Sequence, residues 1–287
     1  MKLMSEIVYL NGSLIPVEKA RISPLDHGFL YGFGLFETMR AYGGKVFRLE
    51  KHLDRLARSA ETLGLPPVTL DLRKAVMDTL YANKLTSARA RIRVTVSAGE
   101  GGIVPDPASY AGPTVLITAG QYQPYPDPVY EKGFRAILSS IRRNSQSPLT
   151  RLKSTNYLEN LLAKQEAKAA GVDEAIFLNE RDLLAEASMS NIFLVTDGVL
   201  KTPRLENGIL PGITRDAVLE LAQKLGIETI EEDIWLDELL EAQEAFLTNS
   251  LIEVMPLVKV AGKRIGTGKP GTLTGKLRDA YRDLVKG

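Results

Sequence analysis

Cysteine is absent from the 287-residue sequence, and histidine occurs only at His27 and His52. The absence of cysteine excludes disulfide scaffolds, zinc–thiolate sites, iron–sulfur ligation and thiol nucleophiles. Two histidines are too few for a histidine-rich metal site, so we expect no bound metal, and they leave few candidates for a Ser–His–Asp hydrolase. Any proton transfer must therefore depend on other side chains.

Long apolar runs and an excess of one charge are also lacking. No stretch reaches the length of a transmembrane helix, and the N-terminal segment does not resemble a signal peptide, because Glu6 interrupts a short apolar run. We therefore expect a cytoplasmic protein. The 36 Lys and Arg residues nearly balance the 35 Asp and Glu residues, so we expect neither nucleic acid nor a membrane as a partner.

The composition is typical of a globular protein long enough for two domains. Hydrophobic residues make up 44% of the chain and charged residues 25%, which allows a full buried core. Three prolines within Gln121–Pro128 predict a stiff, extended connection. We therefore predict a small N-terminal α+β domain over residues 1–120, an interdomain loop at 121–129 and a large C-terminal domain over 130–287.

The spacing of apolar residues predicts the secondary structure of both domains. A hairpin turning at Asn11-Gly12 begins the first domain. A strand pair over 35–42 and 45–48 precedes a helix over 49–63, in which His52, Arg55, Ser59 and Thr62 lie on a stripe beside the apolar one. The other predicted strands are 90–98, 114–119, 136–141, 174–178 and 192–195, with a loop over 99–113, and the other predicted helices are 70–85, 155–170, 213–225 and about 273–285.

Lys153 is the best candidate for a catalytic group, because a desolvated lysine can act both as a base and as a Schiff-base nucleophile. It directly precedes the helix that carries Leu158 and Leu161, so its side chain can enter a cleft between packed elements. A solvated lysine near a helix start is the alternative, and local spacing alone favours it.

Three further features have the chemistry of an anion site. The helix that follows Gly212 offers the backbone N–H groups of Ile213 and Thr214, together with the threonine hydroxyl. The strand that ends in Thr248–Ser250 offers small polar side chains, and Arg55 offers a guanidinium. An ordinary capped helix, a simple turn and a solvated arginine are the corresponding alternatives.

Glu186 stands in a run of small, apolar or uncharged residues just before a predicted strand. If this carboxylate is buried it needs a cationic partner, and the protonated pyridine nitrogen of pyridoxal phosphate is one that proteins pair with an acid. An exposed loop glutamate is the alternative and the more frequent case.

These features occur together in five motifs, which closely resemble those of the class IV aminotransferases, the pyridoxal-phosphate fold type IV group. The motifs are FETMRAYGGKVFRLEKHLDRL (36–56), LKSTNYLENLLAKQEA (152–167), EASMSNIFLV (186–195), LPGITRDA (210–217) and FLTNSLIEVMP (246–256). The resemblance spans essentially the whole chain. It implies an α+β fold with a small domain and a large, cofactor-binding domain, and a homodimer or higher homo-oligomer whose active sites the neighbouring subunit completes.

The resemblance also implies roles for single residues. Lys153 is similar to the lysine that holds pyridoxal phosphate and moves the proton between substrate Cα and cofactor C4′. Glu186 is similar to the partner of the pyridine nitrogen, and Tyr157 to the tyrosine near the ring oxygen. The residues similar to the phosphate cup are Arg55, Ile213, Thr214, Asn249 and Ser250. The positions that line the substrate pocket in relatives are Tyr31, Phe36, Thr38, Arg40 and Arg93.

Several features bear on the choice among activities in this family. Thr38, the run Thr248–Leu251 and the spacing of four residues between Lys153 and Tyr157 favour 4-amino-4-deoxychorismate lyase. In contrast, Ala98 stands where lyases and D-amino acid aminotransferases commonly carry an arginine, which would bind a substrate carboxylate.

Arg40 and Arg93 resemble arginines around the pocket of branched-chain aminotransferases. We therefore predict transfer of an amino group between an amino acid, with branched-chain-like donors favoured, and a 2-oxo acid such as 2-oxoglutarate. Cleavage of aminodeoxychorismate to 4-aminobenzoate and pyruvate is the main alternative. D-amino acid or (R)-amine transamination and non-catalytic binding of pyridoxal phosphate are further alternatives, although Lys153 and Glu186 together argue against the last.

Overall fold

The computed structural model describes residues 6–102, 104, 106 and 109–286. The chain forms two compact units, the first of residues 1–123 and 152–156, the second of residues 124–151 and 157–287. Residues 1–5, parts of the predicted 99–113 loop and Gly287 lie outside the described residues. Residues 152–156 belong to the first unit although they follow the predicted interdomain loop at 121–129 in the sequence.

The first unit is built on an antiparallel sheet, which has six strands in the part of the chain that the structure describes. Their order is β2-β1-β6-β5-β3-β4. The strands are β1 Ile7–Leu10, β2 Ser13–Pro16, β3 Gly34–Tyr42, β4 Lys45–Val46, β5 Ala90–Ser97 and β6 Thr114–Gln121. Asn11 and Gly12 have φ of 47° and 96°, as the predicted two-residue turn requires.

Among the described residues of this unit, three α-helices accompany the sheet: α1 His27–Tyr31, α2 Leu49–Leu63 and α3 Leu72–Ala82. Helix α2 has the predicted bounds, and Gly64 ends it in the left-handed conformation. Helix α3 is shorter than the predicted 70–85 at both ends. The Asp71 side chain accepts a hydrogen bond from Lys74 N and caps its start, and Lys84 after its end has φ of 58°. Apolar side chains of β3, β5 and β6 form the core with α2 and α3.

The second unit contains a mixed sheet. Its order is β12-β11-β10-β13-β14-β7-β8-β9, with β15 paired to β14. The strands are β7 Phe134–Leu138, β8 Glu174–Leu178, β9 Leu184–Ala187, β10 Asn191–Thr196, β11 Val199–Pro203, β12 Thr229–Glu232, β13 Glu244–Asn249, β14 Glu253–Val260 and β15 Lys263–Arg264. Strands β7, β8 and β14 run parallel, and so do β11 and β12.

The helices of the second unit are α4 Asp127–Lys132, α5 Leu158–Ala169, α6 Ile213–Lys224, α7 Leu236–Glu241 and α8 Thr272–Leu284. The connection predicted for 121–129 contains the last residue of β6, Gln121, and the first residues of α4, which begins at Asp127. Pro128 lies in the first turn of α4, where a missing N–H costs no hydrogen bond. Across the described ranges, no helix combines the length and apolar character that crossing a bilayer demands.

Candidate active site

Lys153 lies in an extended segment beside the start of β3, within the first unit. Phe36 N donates a hydrogen bond to Lys153 O at 2.8 Å, and Thr155 N donates one to Gly34 O at 2.9 Å. The backbone from Lys153 to Thr155 is therefore fixed by β3. The Lys153 Nζ atom lies 4.7 Å from the centre of the Phe36 ring.

The face of β3 that carries Phe36 also carries Thr38 and Arg40, because side chains alternate along a strand. Arg93 of β5 is paired with Thr38 and therefore points to the same face. Its guanidinium carbon lies 3.8 Å from the centre of the Phe36 ring. This sheet face thus brings Lys153 together with four of the residues predicted to bind substrate.

Arg40 is buried on that face with 3% of its surface exposed. Its guanidinium carbon lies 4.5 Å from the centre of the Tyr42 ring and 5.0 Å from that of Tyr122, so two aromatic rings orient it. Tyr31 lies elsewhere, at the end of α1, where it is half exposed and its ring packs edge-on against His27.

Arg55 is bound to a carboxylate that the sequence analysis did not select. Its Nε donates to Glu37 Oε1 at 2.8 Å and its Nη2 donates to Glu37 Oε2 at 2.7 Å, and both side chains are buried. Burial alone would raise the pKa of Glu37, but the Arg55 charge and hydrogen bonds from His52 and Arg55 outweigh it and lower the pKa to about 2. Glu37 is therefore ionised in the folded protein.

His52 completes this cluster, with its Nδ1 lying 2.7 Å from Glu37 Oε2. Burial is the largest influence on the pKa of His52 and lowers it below 6.5. Glu37 acts to raise this pKa, whereas the charges of Arg55 and Lys153 lower it further. The ring is therefore neutral near pH 7, with the Nδ1–H donating to the carboxylate. Within the polar stripe of α2, His52, Arg55 and Ser59 are buried and Thr62 is exposed. His52 and Arg55 both bind Glu37.

Glu186 lies on β9, a four-residue strand that was not predicted, and it is buried with 6% of its surface exposed. Its Oε2 accepts hydrogen bonds from Leu210 N at 3.1 Å and from Asn191 Nδ2 at 3.2 Å. The expectation that this carboxylate has a cationic partner is met within the protein by Arg143, whose Nη2 lies 3.1 Å from Glu186 Oε1. The alternative of an exposed loop glutamate is wrong.

Arg143 was missed by the sequence analysis because it follows β7 in an irregular segment without a recognisable motif. It is buried, and its Nη1 also donates to Glu159 Oε2 at 3.2 Å. Its guanidinium carbon lies 4.4 Å from the centre of the Phe177 ring. The side chain is thus held by two carboxylates and one aromatic face.

The start of α6 carries two of the residues predicted to bind the phosphate. Ile213 and Thr214 are both buried in its first turn, and Gly212 before them provides no side-chain cap. A Cβ atom on Gly212 would lie 1.9 Å from Asn191 Oδ1, so only glycine fits beside that amide. Thr248 has a buried hydroxyl with no hydrogen-bond partner among the described residues.

The last predicted site residues lie near the start of α5 and the end of β13. The Tyr157 hydroxyl lies 3.3 Å from Met189 Sδ. Asn249 Nδ2 donates to Met189 O and to Ser190 Oγ, each at 3.0 Å, while its Oδ1 accepts bonds from the backbone of the following turn. Asn249 therefore fixes the turn that carries Ser250, which is half-buried.

Comparison with known proteins now identifies the family. The family model described as amino-transferase class IV matches residues 34–260, a range that contains Lys153, Glu186 and the start of α6. The chain belongs to the class IV aminotransferases. The resemblance stated from the five motifs is confirmed.

Two curated relatives are similar to this chain over nearly their whole length. A Methanocaldococcus jannaschii protein with the provisional name branched-chain-amino-acid aminotransferase is 41% identical over 280 residues, covering 96% of both chains. The aminodeoxychorismate lyase of Bacillus subtilis is 36% identical over 284 residues, covering 98% of this chain and 95% of the relative.

A solved branched-chain aminotransferase structure confirms the predicted α+β fold of type IV. The branched-chain aminotransferase of the thermophilic archaeon Thermoproteus uzoniensis, solved with norvaline, superposes with a TM-score of 0.89 at 38% identity. The match covers 98% of this chain and 95% of that one. The protein is therefore an enzyme of this class by both sequence and fold.

Proposed function

We propose that this enzyme transfers an amino group between branched-chain-like amino acids and a 2-oxo acid such as 2-oxoglutarate, using pyridoxal phosphate. The observation that carries the proposal is the position of the Lys153 amine over the Phe36 ring, on the sheet face shared with Arg93. An apolar ring and fixed guanidinium groups on one face suit a substrate with an apolar side chain and a carboxylate. Similarity to branched-chain aminotransferases supports the same substrate class.

The residues of the second unit fit the chemistry of pyridoxal phosphate. Glu186 provides a buried carboxylate for a ring nitrogen, and the uncapped first turn of α6 provides backbone N–H groups for a phosphate. The buried Thr248 hydroxyl, without a partner in the described chain, is a further donor. When bound, pyridoxal phosphate supplies an aldehyde that exchanges amino groups and a ring that acts as an electron sink.

Each proposed role follows from the chemistry of the side chain. Lys153 holds the cofactor and moves a proton between the substrate Cα and cofactor C4′. Glu186 would accept a hydrogen bond from the protonated ring nitrogen, and Tyr157 would approach the ring oxygen. The residues that would bind the phosphate are Arg55, Ile213, Thr214, Asn249 and Ser250. The substrate is bound by Tyr31, Phe36, Thr38, Arg40 and Arg93.

Absorbance spectroscopy of the purified protein supplied with pyridoxal phosphate tests this proposal. L-Leucine, L-glutamate, D-alanine and an (R)-amine are added separately, and the corresponding oxo product is quantified. We expect L-leucine and L-glutamate to bleach the cofactor absorbance and yield their oxo acids, and D-alanine to have no effect. A protein that stays colourless with pyridoxal phosphate would overturn the proposal, and sustained turnover would exclude a merely cofactor-binding protein.

The lyase activity is the second candidate because a relative at 36% identity bears that name. The position that commonly carries an arginine in lyases is here Ala98, which is fully buried in the first core and offers no cation. We therefore expect little pyruvate from aminodeoxychorismate when no amino acceptor is present. Rapid release of pyruvate and 4-aminobenzoate, with no response to L-leucine, would reverse the order of the two candidates.

We further propose a homodimer, acting in the cytoplasm as predicted from the sequence. Leu158, Leu161 and Leu162 of α5 are 67%, 49% and 43% exposed, and their spacing places them on one helix face. Contiguous exposed leucines are typical of a protein interface. Light scattering should give twice the chain mass for the native protein and a smaller mass for Leu161→Glu. Tyr81→Glu, at a residue of α3 that is 78% exposed, is the control and should leave the mass unchanged.

A further inference from the structure

The contacts of Glu186 come from three separate segments of the second unit. Arg143 approaches one carboxylate oxygen, while Asn191 and the Leu210 backbone approach the other. Asn191 also donates to Leu210 O at 2.9 Å, which ties these two donors together. The carboxylate group is therefore fixed in direction as well as in charge.

Arg143 differs from the other two donors because it carries a full positive charge. A buried carboxylate without a cation is driven towards its neutral, protonated form, whereas a guanidinium in contact stabilises the anion. Arg143 has 7% of its surface exposed and Glu186 has 6%, so water screens their interaction little. Arginine also remains protonated throughout the accessible pH range.

We propose that Arg143 is a positioning residue that keeps Glu186 ionised, so that the proton shared with the cofactor's ring nitrogen stays on that nitrogen. This inference rests on the proposed function, in which Glu186 is the partner of the ring nitrogen. The proton has two possible sites, the nitrogen and the Glu186 carboxylate. The Arg143 charge lowers the proton affinity of the carboxylate, and the nitrogen keeps the proton.

Glu159 has a different relation to this pair. It binds Nη1 of Arg143, whereas Glu186 binds Nη2, and its side chain is 59% exposed. Solvent can replace an exposed carboxylate at little cost. Glu159 therefore orients Arg143 weakly, and its substitution serves as a matched control that leaves the buried pair intact.

Solid-state ¹⁵N NMR of the enzyme, loaded with pyridoxal phosphate labelled at the ring nitrogen, tests the inference without measuring turnover. We expect a pyridinium signal in the wild type and in Glu159→Gln. Arg143→Met removes the charge, and its signal should move to the neutral-pyridine position. Arg143→Gln keeps a hydrogen-bond donor for Glu186 but lacks the charge, and its signal should shift in the same way. This second variant tests the inference even if Arg143→Met does not fold.

The outcomes separate this inference from the proposed function. A pyridinium signal that persists in Arg143→Gln or Arg143→Met overturns the role of Arg143 and leaves Glu186 in place. A neutral nitrogen already present in the wild type overturns the role of Glu186, and the inference falls with it. Arg143→Lys should restore the pyridinium signal at least in part, because it restores the charge but not the forked geometry.

Discussion

Arg55 binds Glu37 through one edge of its guanidinium, with Nε 2.8 Å from Oε1 and Nη2 2.7 Å from Oε2. This bidentate pair joins α2 to β3 within the first unit. Both side chains are buried, and removal of one partner leaves a buried charge without compensation. The residue proposed to bind the cofactor phosphate is thus also a structural link between two elements.

Substitution of Glu37 should destabilise the protein strongly. We expect Glu37→Gln to lower the free energy of unfolding by about 3–5 kcal/mol, because it leaves the Arg55 charge buried. Urea denaturation above pH 5 measures the loss. Glu50→Gln breaks the exposed pair with Arg73 and should cost less than about 1 kcal/mol; equal losses in both variants would contradict the structural role of Glu37.

The ionisation of Glu37 also predicts behaviour in acid. Its pKa is lowered from 4.5 to about 2 in the folded protein, so the unfolded chain binds more protons between these values. The stabilisation is present above pH 4.5 and is lost as the pH falls through about 2. Denaturation curves of the wild type and Glu37→Gln should therefore converge as the pH falls through this range.

His52 predicts a second loss of stability on acidification, which begins at a higher pH than that of Glu37. Its pKa is lowered from 6.5 in the folded state, so the unfolded chain takes up a proton first as the pH falls below 6.5. Stability should then decline by at most about 1.4 kcal/mol per pH unit. His52→Gln keeps a hydrogen-bond donor for Glu37 but does not titrate, so its free energy of unfolding should fall less steeply with pH than that of the wild type. Parallel plots of unfolding free energy against pH for the two proteins would refute the role of His52.

Lys153 should be essential for turnover but not for folding. We expect Lys153→Ala to lower the rate of amino transfer by at least about 100-fold, the usual lower range for loss of a general base. The mass gained on borohydride treatment with pyridoxal phosphate should disappear as well. Thermal unfolding of the cofactor-free forms should be similar, and a variant that keeps both turnover and the mass gain would contradict the role.

Two glycine substitutions should have opposite effects. Gly212→Ala places a Cβ atom 1.9 Å from Asn191 Oδ1, displacing an amide that contacts Glu186. We expect a loss of about 1–3 kcal/mol, typical of overpacking, and weaker cofactor binding. Gly275→Ala, in α8 with no atom within 4 Å, should stabilise the protein by about 0.5–1 kcal/mol. Thermal denaturation and cofactor titration of both variants check these signs.

Elements with strong local signals were predictable from the sequence. Helix α2 has both an apolar stripe and a glycine at its C-terminus, and its bounds are as predicted. The first hairpin has the Asn11-Gly12 turn that fixes its geometry. In both cases the information lies within a few residues of the element.

Features that depend on tertiary contacts were not predictable. Strand β9 has only four residues, all buried, so it shows no alternation. Arg143 binds Glu186, which lies 43 residues away in the sequence. Glu37 was overlooked because a charged residue within a strand does not by itself reveal a structural role, and its partners lie on α2. The family motifs supplied the roles of Lys153 and Glu186, which local spacing alone did not favour.

The hydrogen bond from Phe36 N to Lys153 O joins residues 117 positions apart in the chain. During synthesis from the N-terminus, the first unit cannot complete its backbone contacts until residues 152–156 have emerged, after more than half of the 287 residues have been made. The nascent chain must therefore expose part of this unit for that interval, which is when chaperone binding and aggregation compete with folding. A protein truncated after residue 123 lacks the lysine and the contacts that position it, so the two units cannot be separated by a single cut.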